Sequence, residues 1–271
     1  MNPGFVKLGQ MLGKEKLFSY LDLFGFGSKT GIDLNGESKG IIFPMEKVGE
    51  LELVTTAFGQ GVSVTPIQQV TAVSSIVNGG NLYKPYVVKG ILEPETNTMI
   101  QENKPTLVRN TISEATGLKM RRALESVVAL GGGKAAYIDG YRVGGKTGTA
   151  QKAENGRYLV GNYIMSFMSV IPSNDPQAVL YIALDNPKNT ALLSSYTTTP
   201  IARRILLDII DALGIEKQEN QLIKDYTWED KIYYEVPNVE GLTVSEAKKL
   251  LTNYKKEYVG SGDKVITQSP K

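Results

Sequence analysis

The 271-residue sequence has no histidine and no cysteine. Their absence excludes Ser-His-Asp triads, Cys-His pairs and the usual zinc sites. Nucleophilic catalysis would have to use Ser or Thr with a lysine or carboxylate as base. Without cysteine the redox compartment stays open. An excess of one charge is also missing: 30 basic residues against 28 acidic ones leave a formal charge of +2. No dense Lys/Arg cluster with interleaved aromatics stands out, so a nucleic-acid partner is not expected. There is no run of 18 apolar residues and no signal sequence, so any membrane anchor is expected to lie outside these residues. Tryptophan occurs once, at Trp228. No cofactor or metal is expected.

What is present is a chain with 41% hydrophobic residues, enough for one large domain and a small one. Its most chemical stretch runs from Gly144 to Gln151, Gly-Gly-Lys-Thr-Gly-Thr-Ala-Gln. Three glycines among strand-forming neighbours mark a bulge or a place where another backbone comes close. Lys146 and Thr147 add a cation and a hydroxyl beside that bare backbone, which suits a peptide carboxylate laid along a strand edge. A Gly-rich hairpin edge with a solvated lysine would read the same way. Gly140 to Thr147 also fits the phosphate-loop pattern G-x-x-x-x-G-K-[ST] letter for letter. That motif requires a buried strand before it and a helix opening at the lysine. Lys134 to Asp139 is not a continuous apolar strand, and the segment after Gly148 has no 3.6-residue apolar period.

Along the chain, Asn2-Pro3 predicts a helix start with Phe5, Leu8 and Leu12 on one face, and a second helix spans Lys14 to Leu23. A second Lys-Thr-Gly, Lys29 to Gly31, is followed by a short strand, Ile32-Asp33-Leu34, that leads into Asn35-Gly36, and reads as a turn before a minor hairpin. Thr65-Pro66 opens a helix ending near Gly79-Gly80. A strand is expected over Leu82 to Leu92, then a polar excursion from Glu93 to Lys104. Thr111 to Glu114 has the form of a capping box for a helix stopping at Gly131. Strands come next over Tyr163 to Ile171, apolar on both faces, and Ala178 to Leu184, a pattern that fits a sheet with helices on both sides. Thr199-Pro200 is expected to cap a helix through Leu213. Gly214 to Glu235 reads as a linker, and residues 236–271 as a small domain with a helix from Thr243 and strands over Tyr254 to Val259 and Val265 to Gln268.

Taken together, these motifs resemble the class B penicillin-binding proteins, the serine D,D-transpeptidases that cross-link peptidoglycan. Asn2-Pro3-Gly4-Phe5 is similar to the residues just downstream of the family's S-x-N motif. Phe24 to Gly27, Gly31 to Leu34, Gly59-Gln60-Gly61 with Thr65-Pro66, and Gly144 to Gln151 then appear in the family's order. The tail, with Val236-Pro237-Asn238-Val239, Ala247-Lys248 and Gln268-Ser269-Pro270, resembles the start of a PASTA domain. That combination is similar to the sporulation-type transpeptidases of spore formers.

The resemblance implies an α+β fold of the penicillin-binding transpeptidase and serine β-lactamase type, an antiparallel sheet covered by helices, with its N-terminal part upstream of this sequence. Residues 1–213 would be the C-terminal portion of that domain, 214–235 the linker and 236–271 a partial PASTA module. It also implies roles: Lys146 and Thr147, ahead of Gly148, hold the substrate carboxylate, the Thr149 amide is half of the oxyanion hole, and Asn2 is the last residue of S-x-N. The nucleophilic Ser and base Lys of S-x-x-K would precede Asn2. Two other S-x-x-K matches, Ser245 to Lys248 and Ser261 to Lys264, fall in the tail and read as a helix face and a turn. The implied partners are D-Ala-D-Ala stem peptides, β-lactams and cell-wall synthesis proteins, on the extracytoplasmic face of the bacterial membrane. The rival readings are a non-catalytic peptidoglycan-binding protein and, from the phosphate-loop match, a nucleotide-binding protein.

Overall fold

The computed structural model describes residues 2–154, 157–188, 194–224, 236–252, 254 and 256–269. The described residues up to 224 form one compact unit and those from 236 onward a second. In the first unit, α1 (Asn2–Leu12) and α2 (Lys14–Leu23) precede α3 (Glu50–Ala57), and α1 packs on both. Gly9 makes the α1–α3 approach possible, since a Cβ there would lie 2.4 Å from Ala57 Cβ. Phe18, Val48 and Leu53 form a small core under these helices.

Helix α4 (Pro66–Val77) starts where expected, with Thr65 accepting from the Gln68 amide and Gln68 Oε1 accepting from the Thr65 amide. Gln68 is only 1% exposed. Its Nε2 donates to the carbonyls of Ser28 (2.7 Å) and Lys39 (3.0 Å), tying the 28–39 loop to the helix.

The expected strand over 82–92 is instead two, β1 (Asn81–Lys84) and β2 (Gly90–Leu92), and the polar excursion contains β3 (Met99–Glu102), followed by β4 (Thr106–Asn110). β1 pairs with β4, and β2 with β3. The break has a local cause. Pro85 has no N–H to donate, and the Asp33 carboxylate takes the amides of Val87 (2.8 Å) and Val88 (2.9 Å), withdrawing them from any ladder.

Helix α5 (Glu114–Ala129) is capped by Ser113, whose side chain accepts from the Thr116 amide. The expected cap, Thr111, is buried and bonds instead to the Gly80 carbonyl and Ser75 hydroxyl, closing the strands onto α4.

The main sheet is an antiparallel meander, β5 (Gly144–Glu154), β6 (Arg157–Ile171) and β7 (Ala178–Asp185), with β6 central. Helix α6 (Ser194–Leu213) covers one face, its Ala202, Leu206 and Ile210 packing with Phe167 and Ile171. On the other face α5 approaches β5, where a Cβ on Gly144 would lie 3.1 Å from Leu124 Cβ and 2.9 Å from Val170. α6 begins ahead of the expected Thr199-Pro200 cap and runs through Pro200. Thr198 and Thr199 turn their hydroxyls back onto the carbonyls of Ser194 and Ser195. Burial of the helix's apolar face offsets the interior proline's cost of ~3 kcal/mol.

The first part of the expected linker is docked on this unit. Ile215 joins the core, Gln221 donates to the carbonyls of Ile138 (2.8 Å) and Tyr141 (2.6 Å), and the Gln218 amide donates to Gly140. Trp228 lies outside the described residues.

In the second unit, α7 (Val244–Leu250) is opened by a reciprocal Thr243–Glu246 capping box. The strands expected over 254–259 and 265–268 do not form among the described residues, which show one bridge, Thr243 to Lys264. The 265–268 backbone is taken partly by the turn before α7 and partly by side chains: the Val265 amide donates to the Leu242 carbonyl and its carbonyl accepts from the Gly241 amide, while Gln268 Oε1 accepts from the Val239 amide and Glu240 Oε1 from the Gln268 amide.

Candidate active-site wall

Strand β5 is an edge strand, paired with β6 on one side only among the described residues. Lys146 therefore lies within a strand, with no helix opening at it, and the phosphate-loop reading fails on that point. The glycines of β5 are there for room. A Cβ on Gly145 would sit 2.4 Å from the ring of Phe167 and one on Gly148 2.5 Å from Ser166 Oγ. For these two glycines the close neighbours belong to the sheet's own central strand, the Met168 carbonyl, 2.8 Å from a Cβ on Gly145, among them.

Strand alternation divides the motif between two faces. Lys146 and Gly148 pair with Met168 and Ser166 on the α5 side, and Thr147 and Thr149 pair with Phe167 and Met165 on the α6 side. The Lys146 side chain is exposed, and its ammonium donates to the Thr147 carbonyl. The surrounding protein still takes enough water from it to hold its pKa below that of an ordinary lysine. Among the described residues no carboxylate lies within ion-pair distance of it. The cation is partly desolvated and uncompensated there, a state that favours an incoming anion.

Thr147 is half-buried beside it. At Thr149 the hydroxyl meets Ser194 Oγ at 2.7 Å, and Ser194 Oγ also donates to the Gly148 carbonyl. Asn2 opens α1 and is exposed, and no hydrogen bond joins it to β5 among the described residues.

Four further residues hold the strand's foot and carried no motif in the sequence. Glu125 of α5, 2% exposed, takes a fork from Arg142 (Nη2 to Oε2 2.7 Å, Nε to Oε1 3.0 Å), together with the Ser173 hydroxyl (2.9 Å) and the Leu222 amide (3.3 Å). Burial pushes the Glu125 pKa up, but the Arg142, Leu222 and Ser173 hydrogen bonds outweigh it and hold the carboxyl below its ordinary value. The available signal was a charge inside the apolar face of α5.

The other Lys-Thr-Gly is consumed internally. Glu37 accepts from the Thr30 amide and hydroxyl, both at 2.6 Å, and from the Gly31 amide at 3.1 Å, closing a turn without hairpin strands. Ser245 lies in α7 and Ser261 in a loop, both in the second unit.

The family model of the penicillin binding protein transpeptidase domain matches residues 1–207. The chain belongs to this family. Residues 234–271 match the PASTA domain. Stage V sporulation protein D of Bacillus subtilis is 52% identical over 269 residues, 99% of this chain and 42% of that protein. Penicillin-binding protein PbpB of Mycolicibacterium smegmatis is 32% identical over 199 residues, covering 70% of this chain and 30% of the relative. The chain thus spans less than half the length of these two relatives.

Among solved structures, penicillin-binding protein 3 of Mycobacterium tuberculosis complexed with ampicillin is 28% identical with a TM-score of 0.74, over 83% of this chain and 52% of that one. The transpeptidase domain of Burkholderia pseudomallei penicillin-binding protein 3 is 27% identical with a TM-score of 0.70, over 80% and 63%. The transpeptidase fold is therefore the fold of this chain's first unit. Among the described residues no helix is long and apolar enough to cross a membrane.

Proposed function

We propose that this chain supplies one wall of a peptidoglycan D,D-transpeptidase site that also takes β-lactams. The carrying observation is Lys146: a partly desolvated ammonium with no carboxylate partner among the described residues, beside Thr147, on the open edge of β5. A stem peptide ending in D-Ala-D-Ala extends along that edge, its carboxylate held by Lys146 and the Thr147 hydroxyl. A serine preceding Asn2 attacks the penultimate D-Ala carbonyl, and the Thr149 N–H stabilises the oxyanion. The terminal D-Ala leaves as its amine takes up a proton. An amine of a neighbouring stem peptide then attacks the acyl-enzyme and restores the serine. Asn2 orients the peptide and the catalytic lysine that also precedes it. The 52% identity to a sporulation protein supports a role in the spore's wall, on the extracytoplasmic face of the membrane with cell-wall synthesis proteins as partners.

The test is acylation by a fluorescent penicillin, read by intact mass. Residues 1–271 alone form no adduct, because both S-x-x-K matches lie in the second unit. In the protein extended upstream to include its S-x-x-K, Lys146→Ala and Thr147→Val each slow acylation by about ten- to a hundredfold, the range for one hydrogen bond to a charged group. Wild-type rates in both variants would remove Lys146 and Thr147 from the site, whereas an extended wild-type protein that forms no adduct would leave the non-catalytic peptidoglycan-binding reading standing.

A further inference from the structure

Among the described residues, Ser194 is the one group besides the main strands that grips the proposed oxyanion donor, and no motif points to it. It is 1% exposed at the first described turn of α6, 46 residues beyond Gly148 in sequence. Its hydroxyl has one proton. A carbonyl can only accept, so that proton goes to the Gly148 oxygen. The contact between Ser194 Oγ and Thr149 Oγ1, 2.7 Å, must then run with Thr149 as donor. The chain is Thr149 O–H to Ser194 O–H to Gly148 C=O.

That direction ties Ser194 to one peptide group. The Gly148 carbonyl and the Thr149 N–H belong to the same planar trans peptide, so a bond fixing the carbonyl fixes where the N–H points.

We propose that Ser194 is a positioning residue: it holds the Gly148–Thr149 peptide plane so that the Thr149 N–H is pre-aimed at the developing oxyanion. This rests on the transpeptidase reading above. Pre-aiming acts on the transition state more than on ground-state binding. Loss of the Ser194 hydroxyl therefore slows the acylation step and leaves the affinity of the first, non-covalent complex in place.

The test has two arms. In residues 1–271, Ser194→Ala shifts the Thr149 amide resonance with the amides of β7 unmoved, while Ser195→Ala leaves it in place. In the upstream-extended protein, Ser194→Ala lowers the acylation rate constant about tenfold, as expected for one neutral hydrogen bond, with the dissociation constant of the initial complex within about twofold. Ser194→Thr, which keeps the hydroxyl, recovers part of the rate. A Ser194→Ala protein acylating at the wild-type rate, or losing only affinity, overturns the proposal. If Lys146→Ala also acylates normally, the transpeptidase site itself is misplaced; if Lys146→Ala is slow and Ser194→Ala is not, only the role of Ser194 falls.

Discussion

At the scale of single residues, the Lys146 ammonium is partly desolvated with no carboxylate within ion-pair distance among the described residues. Its folded pKa is lowered, so between that value and the ordinary lysine pKa of ~10.4 the unfolded chain binds more protons. Stability contributed at this position therefore rises as pH rises through the folded pKa, and at neutral pH the ammonium is a mild burden. Lys146→Met should leave the melting temperature at pH 7 unchanged or slightly higher while slowing acylation in the extended protein. A drop of several degrees in a thermal melt would mean that the ammonium's bond to the Thr147 carbonyl stabilises the fold more than desolvation costs it. Lys29, in the other Lys-Thr-Gly, neighbours a turn whose donors are already spent on Glu37. The two matching tripeptides differ in what their surroundings leave unsatisfied.

At the scale of elements, the position of β5 depends on its foot. Glu125 ties α5 to Arg142, two residues before the strand, to Ser173 in the turn after β6, and to Leu222. Removing one partner of a buried pair leaves the other uncompensated and typically costs about 3 to 5 kcal/mol. Glu125→Gln, which retains the shape, should lower the melting temperature measurably, and calorimetry at pH 7 checks this. The folded carboxyl pKa is depressed, so its stabilisation is fully present above the ordinary Glu value of ~4.3 and is lost as pH falls through the lower folded value. Melts over that acidic window should fall more steeply for the wild type than for Glu125→Gln. Parallel curves would assign the acid sensitivity to other carboxyls, such as Glu37 or Asp33.

At the scale of the whole molecule, the boundary of the first unit lies beyond the end of α6. Ile215, Gln218, Gln221 and Leu222 are bound to that unit. A chain ending after Leu213 should therefore melt below one ending after Lys224, and comparing the two by circular dichroism decides it. Equal melting temperatures would make residues 214–224 dispensable. The phosphate-loop match makes its own prediction. A ligand at a hundred times its dissociation constant adds about 2.7 kcal/mol of stability, so ATP or GTP with magnesium should produce no such shift. A rise abolished by Lys146→Ala would reverse that conclusion.

Much of this was legible in the residues alone. Periodicity and caps located α2, α4 and α7, because Thr65-Pro66 with Gln68 and Thr243 with Glu246 are local chemistry that needs no distant partner. The missing histidine and cysteine excluded whole reaction classes, and the order of short motifs pointed to the family that the transpeptidase match later showed. The tertiary structure decided what local pattern cannot encode. Thr111 looks like a cap and is a buried cross-link, because Gly80 and Ser75 lie over it. The 82–92 segment looks like one strand and is two, because Asp33, more than 50 residues away in sequence, claims its amides. Lys146 and Lys29 read alike as letters. One sits on an open strand edge with no carboxylate in reach among the described residues, and the other beside donors already satisfied, because a hydrogen bond's value is set by which partners the fold brings within reach.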